Sequence, residues 1–399
     1  MKVKFRVSTW GEEVELKYGK AIRGYDTDSG PYRVFGTNGP VGWTGDSLTE
    51  GPGVILGRKG AYRGVHFSKE PFWVIDTAYY LEPKSSLNFR WLYYAAIASK
   101  LGEIDDGSPI PSTTRAAVRD VPLLVPSADV QDSIANVLGS LDDKIELNRR
   151  MNETLEAMAR AIFRSWFVDF DPVRIKARGG DPTAELGLSP EIAALFPDSF
   201  QDSELGQIPQ GWKASTVGKE FRLTMGQSPP GESYNSSGEG IPFYQGKTDY
   251  GWRFPERRLS CTAPTRFAEE GDTLVSVRAP VGALNVANER CCIGRGLAAI
   301  RHLSGSMSLT YYAMGELSDQ FKVFEESGTV FGSITKQGFV GLPFVTPSLE
   351  VALAFNHLVG AIDLQIAANE RESSTLAETR DYLLPRLLSG SLCAGAENA

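Results

Sequence analysis

Apolar positions recur with two rhythms along this chain. Between residues 10 and 126, short β-rich runs such as Val54-Ile55-Leu56 and Phe72-Trp73-Val74-Ile75 alternate with Gly, Asn, Asp and Pro punctuation. Trp91 to Lys100 reads as a helix inside the same block. From Val130 to Phe163 the rhythm becomes a heptad. One seam holds Val130, Val137, Lys144, Met151 and Met158, and the other holds Ile134, Leu141, Asn148, Leu155 and Ile162. A helix over this stretch would span ~51 Å at about 1.5 Å per residue.

The whole grammar then recurs. Residues 203–347 predict a strand at Thr273 to Val277, a helix at Leu309 to Lys322 and a strand at Leu342 to Val345. A second heptad comes next, with Val351, Leu358, Gln365, Glu372 and Thr379 on one seam and Phe355, Ile362, Asn369, Leu376 and Leu383 on the other. Pro126 and Pro347 close the two blocks, and Ser127 and Ser348 stand as N-caps of the two heptad helices. The repeat period is 221 residues: Gly107, Pro122, Asp142, Asn148 and Arg150 align without a gap against Gly328, Pro343, Asp363, Asn369 and Arg371. Tyr93-Tyr94 match Tyr311-Tyr312 more loosely, and Trp10 matches Trp212. So long a period means two whole domains rather than solenoid units.

Two apolar seams of this kind favour each other. If the halves are related by an internal two-fold, the helices run antiparallel, and Lys144, Asn148, Gln365 and Asn369 meet near their middles. A buried polar pair there would fix the register. The alternative is two independent amphipathic helices, each folding back on its own block. In the connecting stretch, Trp166, Phe167, Val168 and Phe170 are too apolar for a free linker and are expected to staple the first helix onto the second block.

Composition narrows the class. Hydrophobic content of 42% and charged content of 23% fit a globular protein. No unbroken apolar run is long enough to span a bilayer and the first residues lack a signal-peptide pattern, so the expectation is a cytoplasmic protein. The net charge of −8 is unevenly spread, with +2 on residues 1–126, 0 on 203–347, −6 on 127–202 and −4 on 348–399. The blocks are therefore free to present a basic face despite the acidic total. Cys261, Cys291, Cys292 and Cys393 show no metal-ligand spacing and read as free thiols, and three scattered histidines give no metal centre.

Catalytic motifs are near-misses. Gly246-Lys247-Thr248 ends like a phosphate-binding loop, but Gly240 is one residue too distant and Pro242 interrupts the stretch. Ser228-Pro229-Pro230 is followed by Gly231, not by the aromatic that would stack a flipped base. Asp142-Asp143-Lys144 lies on the heptad helix. The residues point to a non-catalytic chain.

The phrases WFVDFDPV (166–173), SELGQIPQGW (203–212), VFGTNGPVGW (34–43) and GVILGRKGAYRGV (53–65), together with paired heptad helices each preceded by a Gly…Pro…Pro stretch, resemble the specificity subunits of type I restriction-modification systems. The resemblance covers nearly the whole length. It implies a mixed α/β fold with an internal pseudo-two-fold: target recognition domains with twisted β-sheets at 1–126 and 203–347, and two long antiparallel coiled-coil spacer helices at 127–165 and 348–390. A linker at 166–202 would pack on the second domain, with a tail at 391–399. It also implies a non-enzymatic subunit that reads a bipartite, asymmetric site on double-stranded DNA, the unread gap being set by the helices. Two methylating subunits and a restriction/translocase subunit would be its partners, with S-adenosylmethionine and ATP bound by them and no cofactor or metal in this chain.

Base edges suit Arg, Lys, Asn or Gln on glycine-flanked loops. The candidates are Asn38, Arg58, Lys59 and Arg63, with Arg23 behind them, and then Gln245, Lys247, Arg278, Arg295 and Lys336. The spacer interface is assigned to Ile134, Leu141, Asn148, Leu155, Phe355, Ile362, Asn369 and Leu376. Two other classes stay open: an adenine-N6 DNA methyltransferase with fused recognition domains, and a non-catalytic scaffold for partner subunits.

Overall fold

A computed structural model of the chain describes residues 5–25, 29–105, 107, 109–326 and 332–392. It divides into two compact units, Met1–Arg149 with Asn369–Ala399, and Arg150–Ala368. The first unit opens with β1 (Arg6–Thr9), α1 (Trp10–Glu13), β2 (Val14–Tyr18), β3 (Tyr32–Gly36), β4 (Gly39–Thr44) and β5 (Gly53–Gly57). It continues with β6 (Val65–Ser68), β7 (Phe72–Val74), β8 (Ala78–Pro83), α2 (Phe89–Ala98), α3 (Arg115–Arg119) and β9 (Pro122–Val125), and then enters α4 (Ala128–Phe167). Side chains fix where the helices start: Thr9 and Glu12 form a reciprocal capping box at α1, and Asn88 accepts from the Arg90 and Trp91 amides at α2. The sheets run β2-β8-β5-β6 and β4-β3-β7, with β1 and β9 as a separate pair. Only β3 and β7 pair in parallel among these strands. Central β5 is buried on both faces, which explains its unbroken apolar run. Val54 and Leu56 face a core with Trp10, Trp91 and Tyr94, while Ile55 faces Phe35, Phe72 and Val74.

The second unit begins within α4 and continues through α5 (Asp171–Ala177), α6 (Pro182–Leu186), α7 (Pro190–Ala194), β10 (Phe200–Ser203), β11 (Gly206–Pro209), β12 (Lys213–Thr216), α8 (Val217–Glu220) and β13 (Phe221–Met225). Next come β14 (Tyr234–Asn235), β15 (Ile241–Tyr244), β16 (Leu259–Cys261), β17 (Phe267–Ala268), β18 (Thr273–Ser276), β19 (Leu284–Val286), β20 (Cys291–Ile293) and β21 (Leu297–His302). The unit ends with α9 (Met307–Glu316), α10 (Ser318–Glu326), α11 (Lys336–Val340), β22 (Pro343–Thr346) and the first half of α12 (Leu349–Leu388). Its sheet β13-β21-β18-β19 repeats β2-β8-β5-β6 strand for strand, and β15 pairs with β20 in parallel as β3 does with β7.

The equivalence reaches single hydrogen bonds. Trp10 N donates to Val121 O at 3.0 Å, and Val217 N donates to Leu342 O at 2.9 Å. Ser8 donates to Glu13 at 2.6 Å, and Ser215 to Glu220 at 2.7 Å. Trp10 therefore corresponds to Val217 and not to Trp212, which corrects the expected match. Trp212 instead packs with Phe167 and Phe170 at centroid distances of 5.9 and 5.8 Å. Trp166, Phe167 and Phe170 join one core with Phe196, Phe355 and Val359 and staple α4 into the second unit, whereas Val168, expected among them, is exposed. Each fully buried aromatic there contributes about 2–3 kcal/mol of apolar transfer.

Both long helices have 40 residues, and each gives one half to each unit. The first half of α4 shares its unit with the second half of α12, and the reverse holds in the other unit, so within each unit the halves pair antiparallel. Ile134 and Leu138 share a core with Leu384 and Leu387, while Phe163 and Trp166 lie 5.6 and 5.8 Å from Phe355. Asn148 is fully buried and donates to Glu372 at 2.8 Å and Ser373 at 3.2 Å, and Lys144 pairs with Glu372 at 3.1 Å. In the assigned seam, Ile134, Asn148, Phe355 and Asn369 are buried, and Leu141, Leu155, Ile362 and Leu376 are half-buried.

The companion seam needs correction. Val137, Met151, Met158, Leu358, Gln365, Glu372 and Thr379 are exposed. The second buried row runs four residues after the first, not three, through Leu138, Asn152, Ala159 and Trp166 on α4, and through Val359, Ile366 and Leu387 on α12. A second correction concerns hydropathy. Among the described residues, α12 is long and apolar enough to cross a membrane, with an 18-residue window of mean hydropathy 1.5. Scattered polar residues such as Asn356, His357 and Asp363 hide this from a search for unbroken runs. Its apolar face, with Val351, Ala352, Phe355 and Val359, lies in the second unit's core.

Candidate nucleic-acid interface

In each unit the two loops that leave the C-terminal ends of β3 and β5, or of β15 and β18, come together. In the first unit the Thr37 hydroxyl donates to Lys59 O at 2.7 Å, joining the loop of Asn38 to that of Lys59. Their approach needs Gly57, where an added Cβ would lie 2.1 Å from Thr37 O. In the second unit Gln245, Lys247 and Arg278 line one cleft of about 490 Å³ with Thr248, Pro280 and Gly296. Here Gly296 permits the contact, since a Cβ would lie 2.3 Å from Gln245 O.

Backbone pairing matches these positions across the units. Ile75 N donates to Phe35 O, and Gly294 N donates to Tyr244 O. Counting on three residues from Phe35 and from Tyr244 sets Asn38 opposite Lys247. Lys59 bridges to Ser112, and Arg278 bridges to Ser333, one repeat period later. Lys59 and Arg278 are therefore counterparts. All four side chains are exposed and carry hydrogen-bond donors, as readers of base edges require.

The other candidates sit differently. Arg63 spends three of its five donors internally, on Thr113, Gly60 O and Ile104 O at 3.1, 2.6 and 2.9 Å, and so ties loops together. The Arg58 guanidinium lies 5.2 Å from the Tyr18 ring centroid, and the Arg115 guanidinium lies 4.0 Å from the same centroid. Arg295 is exposed and anchored on Ser228 at 3.2 Å. Lys336 is exposed at the first position of α11, close in sequence to the Ser333 bridge. Arg23 is exposed on the β2–β3 connection, outside the Thr37–Lys59 link.

Sequence reasoning missed the groups that hold these loops. Thr37, whose hydroxyl makes the link to Lys59, is a small residue without a motif. Arg253 is 3% exposed, and nothing in its sequence neighbourhood marks it as interior. Among the described cysteines, Cys261, Cys291 and Cys292 are buried free thiols, and burial pushes the Cys291 thiol up to about 12. Such a thiol is unreactive at neutral pH. Cys393 lies outside the described residues.

Comparison with known proteins agrees with this architecture. Residues 3–157 match the family described as the type I restriction modification DNA specificity domain. The chain is 28% identical over 285 residues to a protein of Methanocaldococcus jannaschii named for the specificity subunit of type I restriction enzyme MjaX. That alignment covers 70% of this chain and 61% of the relative, so the chain spans about three fifths of the relative's length. It is 26% identical over 327 residues to the HindI specificity subunit of Haemophilus influenzae, covering 71% of each. A crystal structure of a type I restriction-modification S subunit from M. genitalium shares the fold, with a TM-score of 0.60 and 16% identity over 97% of this chain and 96% of that one.

Proposed function

We propose that this chain is a specificity subunit of the type I restriction-modification kind, as its similarity to that family supports, and that it reads a bipartite, asymmetric sequence on double-stranded DNA, one half through each unit. The observation that carries the reading is the equivalence of the two loop pairs. Asn38 and Lys59 in one unit occupy the places of Lys247 and Arg278 in the other. Different donors at the same positions of a repeated scaffold are what two different half-sites require. Asn favours adenine, whereas Arg and Lys favour guanine.

In this reading the chain does no chemistry and works in the cytoplasm. Two methylating subunits and a restriction/translocase subunit are its partners, with S-adenosylmethionine and ATP bound by them. The length of α4 and α12 sets the number of unread base pairs. Forty residues span about 60 Å, or roughly eighteen base pairs at ~3.4 Å each.

Mapping methylated adenines in cells carrying the intact system tests this. A split motif is expected, and exchange of residues 10–126 for those of another family member should change one half only. A motif that changes in both halves together, or an unsplit motif, would refute it. Equilibrium binding of S-adenosylmethionine to the purified chain would favour the methyltransferase alternative instead.

A further inference from the structure

The second unit holds a buried cation that is not among the exposed donors of the cleft. Arg253 is 3% exposed, and its guanidinium lies 3.6 Å from the Tyr311 ring centroid. It donates to Tyr312 Oη at 3.0 Å, forms an ion pair with Asp363 of α12, and lies 3.5 Å from a Glu156 oxygen of α4. One side chain thus touches both long helices and α9.

Arg253 sits at the tip of a hairpin whose base is the cleft wall. Gln245, Lys247 and Thr248 line the cleft. Asp249 then accepts from Gln245 N at 2.7 Å and, through its own carbonyl, from Glu256 N at 2.8 Å. Tyr250 bridges Pro255, and Gly251 N closes the tip on Phe254 O at 3.1 Å. Val286 N donates to Arg253 O at 2.9 Å, and Asn285 donates to Gly251 O at 3.1 Å, holding the tip against β19. The path from cleft to guanidinium is hydrogen-bonded at each step.

We propose that Arg253 is a positioning residue for recognition, a plug that fixes the Gln245–Thr248 wall of the cleft to the helix pair and so sets the sharpness of half-site reading by the second unit. The inference rests on the DNA-reading function proposed above. A purely structural role for the arginine is separable from it, because the repeat offers a substitute. In the first unit the matching aspartate, Asp142, is neutralised by Arg380 of α12 at 2.8 Å. The place of Arg380 in the second unit, one period earlier, is Ala159.

The test compares wild type, R253M, R253K and the double variant R253M/A159R, all as full chains in the intact system. Methylation mapping gives discrimination at each half-site, and thermal melting gives stability. In the double variant the new arginine stands at a fully buried position of α4, placed to supply the charge for Asp363 as Arg380 does for Asp142 but with no link to the hairpin. Where melting is not recovered, R253K and R253M decide alone. Recovered melting is expected, together with about tenfold weaker discrimination in the half assigned to residues 203–347 and none lost in the other. R253K keeps a charge but loses the planar fork and the stacking, and is expected to lie between. Recovery of discrimination along with stability in the double variant would show a structural role only and overturn the proposal, as would full discrimination in R253K or R253M. A wild-type map without a split motif would instead remove the DNA-reading premise, which the variants are not needed to judge.

Discussion

The two units solve one problem with different residues. In both, a tyrosine from the helix after the central sheet reaches an aspartate on a long helix: Tyr94 donates to Asp142 at 2.6 Å, and Tyr312 donates to Asp363 at 3.0 Å. In both, an arginine neutralises that aspartate. The first unit takes Arg380 from the opposing helix, 29% exposed, whereas the second takes Arg253 from the hairpin between β15 and β16, 3% exposed. The turn before each tyrosine also differs: Arg90 binds Asp143 at 2.8 Å, while its counterpart Ser308 binds Asp363 at 2.6 Å. The repeat therefore holds the anion and the hydroxyl in place and leaves the cation free to come from either side. Which side it comes from decides whether the helix pair is tied to itself or to a loop that lines the cleft.

The largest expected effect separates the two arginines. R253M should destabilise its unit by about 3 kcal/mol, since it removes an enclosed guanidinium that stacks on Tyr311 and supplies the counter-charge to part-buried Asp363 and Glu156. R380M, at a half-exposed pair, should cost about 1 kcal/mol or less. Chemical denaturation of the full chain with a fluorescent reporter in each unit would check this, and equal losses would erase the distinction. Next, Y94F and Y312F should each cost about 1 kcal/mol, the ordinary value for one hydrogen bond. A loss confined to one of them would mean that the latch is not shared.

The smallest effect concerns acid. Arg90, opposed by burial and helped by Lys69, holds the Asp143 carboxyl down at about 2, and Leu364 occupies the corresponding place in the second unit. A carboxylate with a depressed folded value adds stability above the ordinary value near 4 and loses it as pH falls from there towards 2. The first unit should therefore soften over that window, and D143N should flatten the dependence. Near-ultraviolet circular dichroism of wild type and D143N during acid titration would show it. A D143N profile as steep as wild type would mean that the Arg90 pair does not contribute.

Much of this is legible in the chain. The Val54-Ile55-Leu56 run marks a strand buried on both faces, and the 221-residue period carries Asp142 onto Asp363. The heptad misplaces the second helical seam because Met151 and Met158 look like core residues while Asn152 and Ala159 do not. Which row is buried depends on the domain against which the helix rests, and the heptad does not record that. Identity alone pairs Trp10 with Trp212, while the backbone partner of Trp10 belongs to Val217 in the repeat. Among the candidate readers, the glycine context locates the loops of Asn38, Lys59, Lys247 and Arg278. It does not distinguish an arginine that faces outwards from Arg63, whose donors are spent on neighbouring carbonyls and a hydroxyl. Arg253 gives no signal, because its burial comes from partners 97 residues upstream and 110 downstream.

The division of the long helices has a consequence for biosynthesis. The second unit is contiguous in the chain, whereas the first draws on residues from 369 onward, including Leu384 and Leu387 in its core. On the ribosome residues 5–149 emerge before the second unit yet wait with an open apolar groove until Leu384 and Leu387 arrive behind it.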